Sequence, residues 1–459
     1  MLMENEKPVV SRDLAGFDRV HAFVFGLTAA QIPAEVRHFA ILLLLDTLGV
    51  AAAARDMEAA KIARDLAVDL FAAGPAAATA RMLFDGRPVS IAGANFAAAA
   101  QIDNLDGHDG YNPTKGHIGV VAAPAVITFA QSVPEVSAAE ALAALVLGYE
   151  VAARAGIALH ATVTDYHTSG AWNSLAVAAI GARLRRIKGE QFREALGIAE
   201  YHGPRSQMMR VIDHPTMLRD GSAWGALAGA SAVFLAERGF TGAPAITVEG
   251  PDVGHLWNDL GESWIVDRHY IKPYPICRWA HSLIDGALRL RAAHELRSED
   301  IAAIELSSFH EATRLYRGLP PTSPVAQYAI CFPVAAALAK GKLGVAEITG
   351  AGLQDPETAR LVAATTVTES PAYNARFPEG RWGDVTLVLK NGERLHSGPF
   401  NARGGPDNPL SETDILAKFR DYARPVLGAA RTQALEDAVR RLDEPSADFA
   451  AVIELVSKA

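Results

Sequence analysis

The segment NLDGHDGYNPTKGHIG, residues 104 to 119, sets Asp106, His108, Asp109 and His117 on one short stretch of chain. Histidine changes charge near neutral pH, and a neighbouring carboxylate can orient and tune it, so these residue types at this spacing suit proton transfer. Gly107, Gly110, Pro113, Gly116 and Gly119 break helix repeatedly, so the segment reads as a loop between helices. A polar surface loop is the simpler alternative. A divalent metal is another, but neither an HExxH helix nor an EF-hand loop accompanies the aspartates and histidines, and no metal is assigned.

Three more polar clusters interrupt apolar sequence. DYHTSGAWNS (165 to 174) places His167 just before a helix, with Thr168 or Ser169 as caps, where free N–H groups could receive a carboxylate. HPTMLRDGSAWG (214 to 225) places Arg219 before a further helix, beside Asp220. YIKPYPICRWAHSLIDG (270 to 286) interleaves Lys272, Cys277, Arg278 and His281 with Pro273 and Pro275, so the chain is stiff until a helix begins over Arg278 to His281. Cations held rigidly at short spacing suit a di- or tricarboxylate. Cys277 carries no nucleophile signature and reads as a packed residue.

The elements that must position these clusters fall into two kinds. From about residue 14 to 245 the pattern is helical, with Ala/Leu/Val stretches at 93 to 101, 138 to 157, 172 to 186 and 221 to 236 whose small residues imply close helix packing. After about 265 the spacing becomes strand-like at 301 to 313 and 384 to 398, the latter turning at Lys390-Asn391-Gly392, with a helix over 325 to 341 between them. The expected architecture is mainly α: an all-helical domain over 1 to 265, then an α+β lid over 266 to 405 in which helices cover a small antiparallel sheet. Ser411 N-caps a final helical segment, 406 to 459, expected to return to the first domain.

Composition excludes several function classes. The 459 residues are 50% hydrophobic and 21% charged, enough for a large core, and the formal charge of −9 includes no long Lys/Arg run. Nucleic acid is therefore not an expected partner. Cys277 and Cys331 are the only cysteines, which fits a reducing cytoplasm and no disulfide framework. FAILLLLDTLGVAAAA (39 to 54) is interrupted by Asp46 and falls short of the roughly 20 apolar residues of a membrane span, so it reads as a buried helix. The N-terminal MLMENEKPVVSRDLAG reads as a tail rather than an export signal. No strand–GxGxxG–helix unit or P-loop is present, which argues against a nicotinamide or nucleotide cofactor.

Taken in order, the four clusters resemble the MmgE/PrpD family, which includes 2-methylcitrate dehydratases, cis-aconitate decarboxylases and iminodisuccinate epimerases. LLLLDTLGVAAAA, GHIGVVAAPAVITFA, KPYPICRWAHSLIDGA, PPTSPVAQYAICFPVAAAL and GGPDNPLSETDILAKF carry the similarity nearly end to end. The resemblance implies a helical domain joined to a lid-like α+β domain, a homodimer, a site between the domains and catalysis without an organic cofactor. It matches Asp106 and His117 to the family's loop, His167 to its helix-start histidine, Lys272 to the lysine before Pro-aromatic-Pro, and Tyr328 to the tyrosine of Gln-Tyr-Ala. This chain departs from the usual Asp-Phe-Asp-Asp-Thr in reading Asp106-Gly107-His108-Asp109-Gly110, carries Arg219 where a lysine is expected, and has Cys277 at a histidine position of the decarboxylases.

The activities of such a family share a proton on carbon α to a carboxylate or carbonyl. The site needs a base and cations for the developing enolate charge. The catalytic group expected here is Asp106, Asp109, His117, His167, Lys272 and Tyr328: His117 or His167 as base, an aspartate to orient it, and Tyr328 as proton or hydrogen-bond donor. His108, Arg219, Arg278 and His281 are expected to bind substrate carboxylates. Loss of water, return of the proton on the other face, or loss of carbon dioxide would make a dehydratase, an epimerase or a decarboxylase. A carboxylate-binding protein without turnover is the rival of a different class.

Overall fold

The computed structural model describes residues 14–459, so most of the N-terminal stretch read as a tail lies outside the described residues. Helices of eight residues or more in the first part are α1 (Leu14–Gly26), α2 (Ala34–Ala54), α3 (Glu58–Leu70), α4 (Ile91–Asp103), α5 (Gly119–Ala130), α6 (Ala138–Thr162), α7 (Gly170–Arg185), α8 (Glu190–His202) and α9 (Ser222–Glu237). Every residue of α5 is buried, and α2 and α6 are buried on nearly all sides. Both α2 and α6 are long and apolar enough to cross a membrane, but 78% and 94% of their apolar windows lie inside the fold. The packing depends on glycine where helix axes come closest. A Cβ on Gly225 of α9 would stand 2.5 Å from the Gly170 carbonyl oxygen of α7, and one on Gly229 would stand 2.3 Å from that of Ser174.

The first part is not purely helical. A short antiparallel ribbon joins β1 (Thr79–Arg81) to β2 (Pro88–Ser90). The second part adds β3 (Ile301–Ser308), β4 (Thr365–Glu369), β5 (Trp382–Leu389), β6 (Arg394–His396) and β7 (Phe400–Asn401), in the order β4-β3-β5-β6 with β7 also on β5. The sheet is mixed rather than antiparallel: β4 lies parallel to β3, with Leu306 opposite Val367, whereas β5 runs antiparallel to it, with Leu306 opposite Val385. A parallel neighbour requires a crossover, here the long helical stretch between β3 and β4. The Asn391-Gly392 turn does join β5 to β6, with Gly392 at φ +89°.

Helices α10 (His281–Ala293) and α11 (Cys331–Lys340) pack together, with α10 against β5. α12 (Pro356–Ala363) lies against α11, and Pro and Asp355 at its start supply a pre-set φ and a side-chain cap. After Ser411, whose hydroxyl and Asp414 form a reciprocal cap, α13 (Glu412–Arg440), kinked at Gly428 where φ is +75°, runs along α2 and is followed by α14 (Phe449–Val456). This last helix pair ties the end of the chain to the helical part. Buried Asp46 of α2 meets Lys418 Nζ of α13 at 2.6 Å, which accounts for an acid inside an otherwise apolar helix.

Candidate active site

The loop after α4 is held from several sides. Asp106 takes φ +49°, a conformation costly for a residue with a Cβ. Lys418 donates to the Gly107 carbonyl at 2.7 Å, and Gly110 exchanges both backbone hydrogen bonds with Tyr270, at 3.1 and 2.8 Å. Only glycine fits at 110, because a Cβ would lie 2.3 Å from the Tyr270 hydroxyl. Asp109 accepts from the Gly119 amide at 3.0 Å, securing the start of α5. Burial first, then the nearby Asp46 charge, pushes the Asp109 carboxyl up to about 7.

At the centre Lys272 Nζ lies 2.5 Å from Asp106 Oδ1 and also donates to the Asp106 carbonyl at 3.0 Å. His117 Nε2 lies 4.0 Å from the same carboxylate oxygen, while its Nδ1 stands 2.6 Å from the Asp109 carbonyl. A carbonyl oxygen only accepts, so the hydrogen bond assigns the proton of the neutral ring to Nδ1 and leaves a lone pair on Nε2. Burial, then the Lys272 charge, holds the His117 pKa well below the usual histidine range. The base-competent form therefore predominates at neutral pH.

His108 packs against His117, ring centroids 4.5 Å apart, and is fully buried. Its Nε2 is 3.5 Å from Asp103 Oδ1, and neither ring nitrogen has a hydrogen-bond partner among the described residues. Burial, then the Asp220 and Asp106 charges, raises the Asp103 carboxyl to about 8, and burial raises that of Asp220 to about 6. Three carboxyl groups thus crowd one enclosed region.

The cations are arranged unequally. Arg219, at φ +56°, lies with its guanidinium carbon 5.3 Å from the Tyr328 ring centre, makes only long contacts of 3.3 and 3.4 Å to the Pro324 and Asn104 carbonyls, and has no partner for Nε among the described residues. Arg278 also lacks a partner for Nε among the described residues, but it donates at shorter range to the Arg403 and Ala402 carbonyls, 2.6 and 2.9 Å, and stacks 4.0 Å from the Tyr270 ring centre, so it holds the segment after β7. His281 contacts the Ile276 carbonyl through Nε2 at 3.0 Å and leaves Nδ1 without a partner among the described residues. Tyr328 is buried, and its hydroxyl is pushed well above the usual tyrosine range by burial and then by Asp106. Burial likewise pushes the Cys277 thiol up to about 12, which keeps it protonated.

The structure thus gathers Asp106, His108, Asp109, His117 and Lys272, and sets Tyr328 beside Arg219. His167 belongs to a different cluster: its amide reaches His160 Nε2 at 3.3 Å, and its charged neighbours are Arg205 and Asp165. Sequence reasoning passed over Asp103 and Lys418 and took Ser169 only as a helix cap. It gave Asp220 no role in the site, whereas Asp220 is buried and accepts from the Ser169 hydroxyl. The polar residue inside an apolar helix was the available signal for Asp46 and hence Lys418.

Asp106, His108 and His117 bring donor atoms within 4.8 Å of one another, close to the spread a divalent ion needs. The Lys272 ammonium already occupies the cation side of Asp106, so an ion would have to displace it. Solvent reaches the edge of the site along a groove of about 500 Å³ lined by Asp103, Asn104 and Arg219 at one end and by Ile62, Leu218 and Trp224 elsewhere.

The fold and this enclosed carboxylate, histidine and lysine cluster define a mainly helical protein with a smaller mixed-sheet region and a buried polar centre. Residues 18–255 match the MmgE/PrpD N-terminal domain and residues 274–444 the MmgE/PrpD C-terminal domain. The chain belongs to the MmgE/PrpD family, which includes dehydratases, epimerases and decarboxylases of small carboxylates. Among curated proteins it is similar to human cis-aconitate decarboxylase, 23% identical over 375 residues and 76% of each chain. The mouse cis-aconitate decarboxylase is 21% identical over 374 residues, 76% of this chain and 75% of that one. A cis-aconitate decarboxylase-like protein of Aspergillus oryzae is 23% identical over 359 residues, 70% of this chain and 72% of that one.

Proposed function

We propose that the protein abstracts a proton from the carbon α to a carboxylate of a small di- or tricarboxylate, with His117 Nε2 as the base. The observation that carries this reading is the 2.6 Å contact of His117 Nδ1 with the Asp109 carbonyl, which leaves Nε2 free beside the Lys272-paired Asp106. As the C–H bond breaks, its electron pair moves into the carboxylate as enolate character. Arg219, whose two hydrogen bonds are both long and whose Nε has no partner among the described residues, would receive that charge, with Lys272 supporting it.

The outcome favoured is return of the proton on the other face, an epimerisation of the iminodisuccinate type. Asp220, pushed up only to about 6, is largely ionised at neutral pH and its Oδ1 has no hydrogen-bond partner among the described residues, so a substrate bearing a protonated nitrogen beside its carboxylates would balance it better than a purely anionic one. Dehydration of the 2-methylcitrate type is the second reading, favoured by Tyr328, whose buried hydroxyl stays protonated and could donate to a departing hydroxide. Decarboxylation of the cis-aconitate type draws its support from the relatives named above. The assembly proposed is a homodimer, supported by exposed Ile62, Leu218 and Trp224 along one groove and testable by sedimentation.

The test is NMR in deuterium oxide of the purified protein with 2-methylcitrate, cis-aconitate, iminodisuccinate and other C4 to C7 acids. Deuterium entering a carbon α to a carboxylate supports proton abstraction, and accompanying loss of water or carbon dioxide identifies the branch. Binding of these acids without exchange would replace this reading with a carboxylate-binding role.

A further inference from the structure

The helix start that carries His167 makes its strongest contacts with the loop through Ser169. The His117 amide donates to Ser169 Oγ at 2.9 Å, and the hydroxyl, having one proton to give, donates it to Asp220 Oδ2. The next turn of α7 holds the other side of the same residue, because Asn173 Nδ2 donates to the His117 carbonyl at 2.9 Å. His117 is therefore gripped at both its N–H and its C=O by one rigid helix.

Asp220 is tied in as well: its carbonyl accepts from the Gly170 amide at 3.0 Å. Its neighbour Arg219 takes φ +56°, costly for a residue with a Cβ, whereas Gly221 takes +67°, which glycine adopts freely. The fit is close, since a Cβ on Gly116 would lie 2.4 Å from Ser169 Oγ. Asp220, Ser169 and Asp109 are all buried, so each lost hydrogen bond would leave a polar group without water to replace it.

We propose that Ser169 and Asp220 are a positioning pair: they fix the His117 backbone so that Nδ1 meets the Asp109 carbonyl and Nε2 faces the site, and they anchor Arg219 to the same helix start. A hydroxyl that gives its proton to a carboxylate is a better acceptor for the amide, so the two hydrogen bonds reinforce each other. An alanine at 169 frees the amide, lets residue 117 turn, and loosens the contact that selects the tautomer. The role rests on His117 being the base, whereas the tautomer itself can be read without any substrate.

The experiment uses full-length protein labelled with ¹⁵N-histidine, with the His117 signals assigned from a His117→Ala sample, comparing wild type, Ser169→Ala, Ser169→Thr and Asp220→Asn. Wild type is expected to show His117 with Nδ1 protonated. Ser169→Ala is expected to give mixed tautomers and faster exchange of the His117 amide, Ser169→Thr to retain the wild-type pattern, and Asp220→Asn to fall between. His117 signals in Ser169→Ala that coincide with wild type overturn the pair. If that variant does not fold, wild-type signals in Asp220→Asn overturn it instead.

The same samples, given the acids above in deuterium oxide, separate the two readings. Tautomer changes with no exchange on any acid in wild type would leave the pair standing and remove the proton-abstraction reading. Exchange in wild type that Ser169→Ala lowers less than about tenfold, the bottom of the effect expected from a group acting through a base, would count against the pair alone.

Discussion

Asp106 and Lys272, far apart in the chain, meet as a buried ion pair with Oδ1 and Nζ 2.5 Å apart, and Lys272 has no exposed surface. Removing one partner leaves the other charge without compensation. Lys272→Met is expected to lower folding stability by about 3–5 kcal/mol, and the double variant with Asp106→Asn to recover much of that loss. Urea unfolding of the three proteins checks it. A Lys272→Met protein as stable as wild type would show that the ion pair is not what holds this centre together.

The two histidines carried forward from the sequence separate in the fold, which makes the base assignment testable. His117→Ala is expected to slow α-proton exchange by about 100- to 10,000-fold, the usual loss when a general base is removed. His167→Ala, whose ring sits with His160, Asp165 and Arg205, is expected to change it by no more than severalfold. Exchange rates on the best acid of the panel decide this, and the reverse ranking would move the base to His167.

The acid limb of the pH–rate profile follows from the direction of the His117 shift. Burial and Lys272 lower its pKa, so the neutral ring persists to lower pH than a free histidine at about 6.5. The limb in kcat/KM is therefore expected below pH about 6.5, with the rate falling as pH drops through it. A midpoint above that value would mean that another group titrates. Lys272→Met, which removes the second cause of the shift, is expected to move the limb upward.

The sequence made the loop legible because glycines and a proline at 107, 110, 113, 116 and 119 left no helix for its aspartates and histidines to occupy. Lys272 and the helix at His281 were legible for the same reason, through Pro273 and Pro275. Strand β4, TTVTE, was not: it is five residues long and half exposed, and only the crossover decides that it runs parallel to β3. Ser169 was legible as a helix start, but its side chain makes no cap hydrogen bond and turns to Asp220, 51 residues away. Nothing local in DYHTSGAWNS specifies that partner. His167 shows the same limit, since a helix-start position fixes where the backbone lies without fixing which cluster its ring joins.

Asp103 links stability to pH in the opposite sense from a salt-bridged carboxylate. Burial and the neighbouring Asp220 and Asp106 raise its folded-state pKa to about 8, against about 3.9 for a free aspartate. The folded protein thus holds a proton that the unfolded chain releases. This contribution is fully present below pH about 4 and is lost as pH rises through about 8. Asparagine keeps the shape and can still accept from the Ser222 amide, which lies 3.3 Å from Asp103 Oδ2, but it has no proton to lose. The Tm advantage of Asp103→Asn over wild type is therefore expected to grow between pH 5 and pH 8, as measured by thermal unfolding in matched buffers. An advantage that stays constant or shrinks would mean that Asp103 is ionised in the folded protein and that its charge is met by His108 or Arg219.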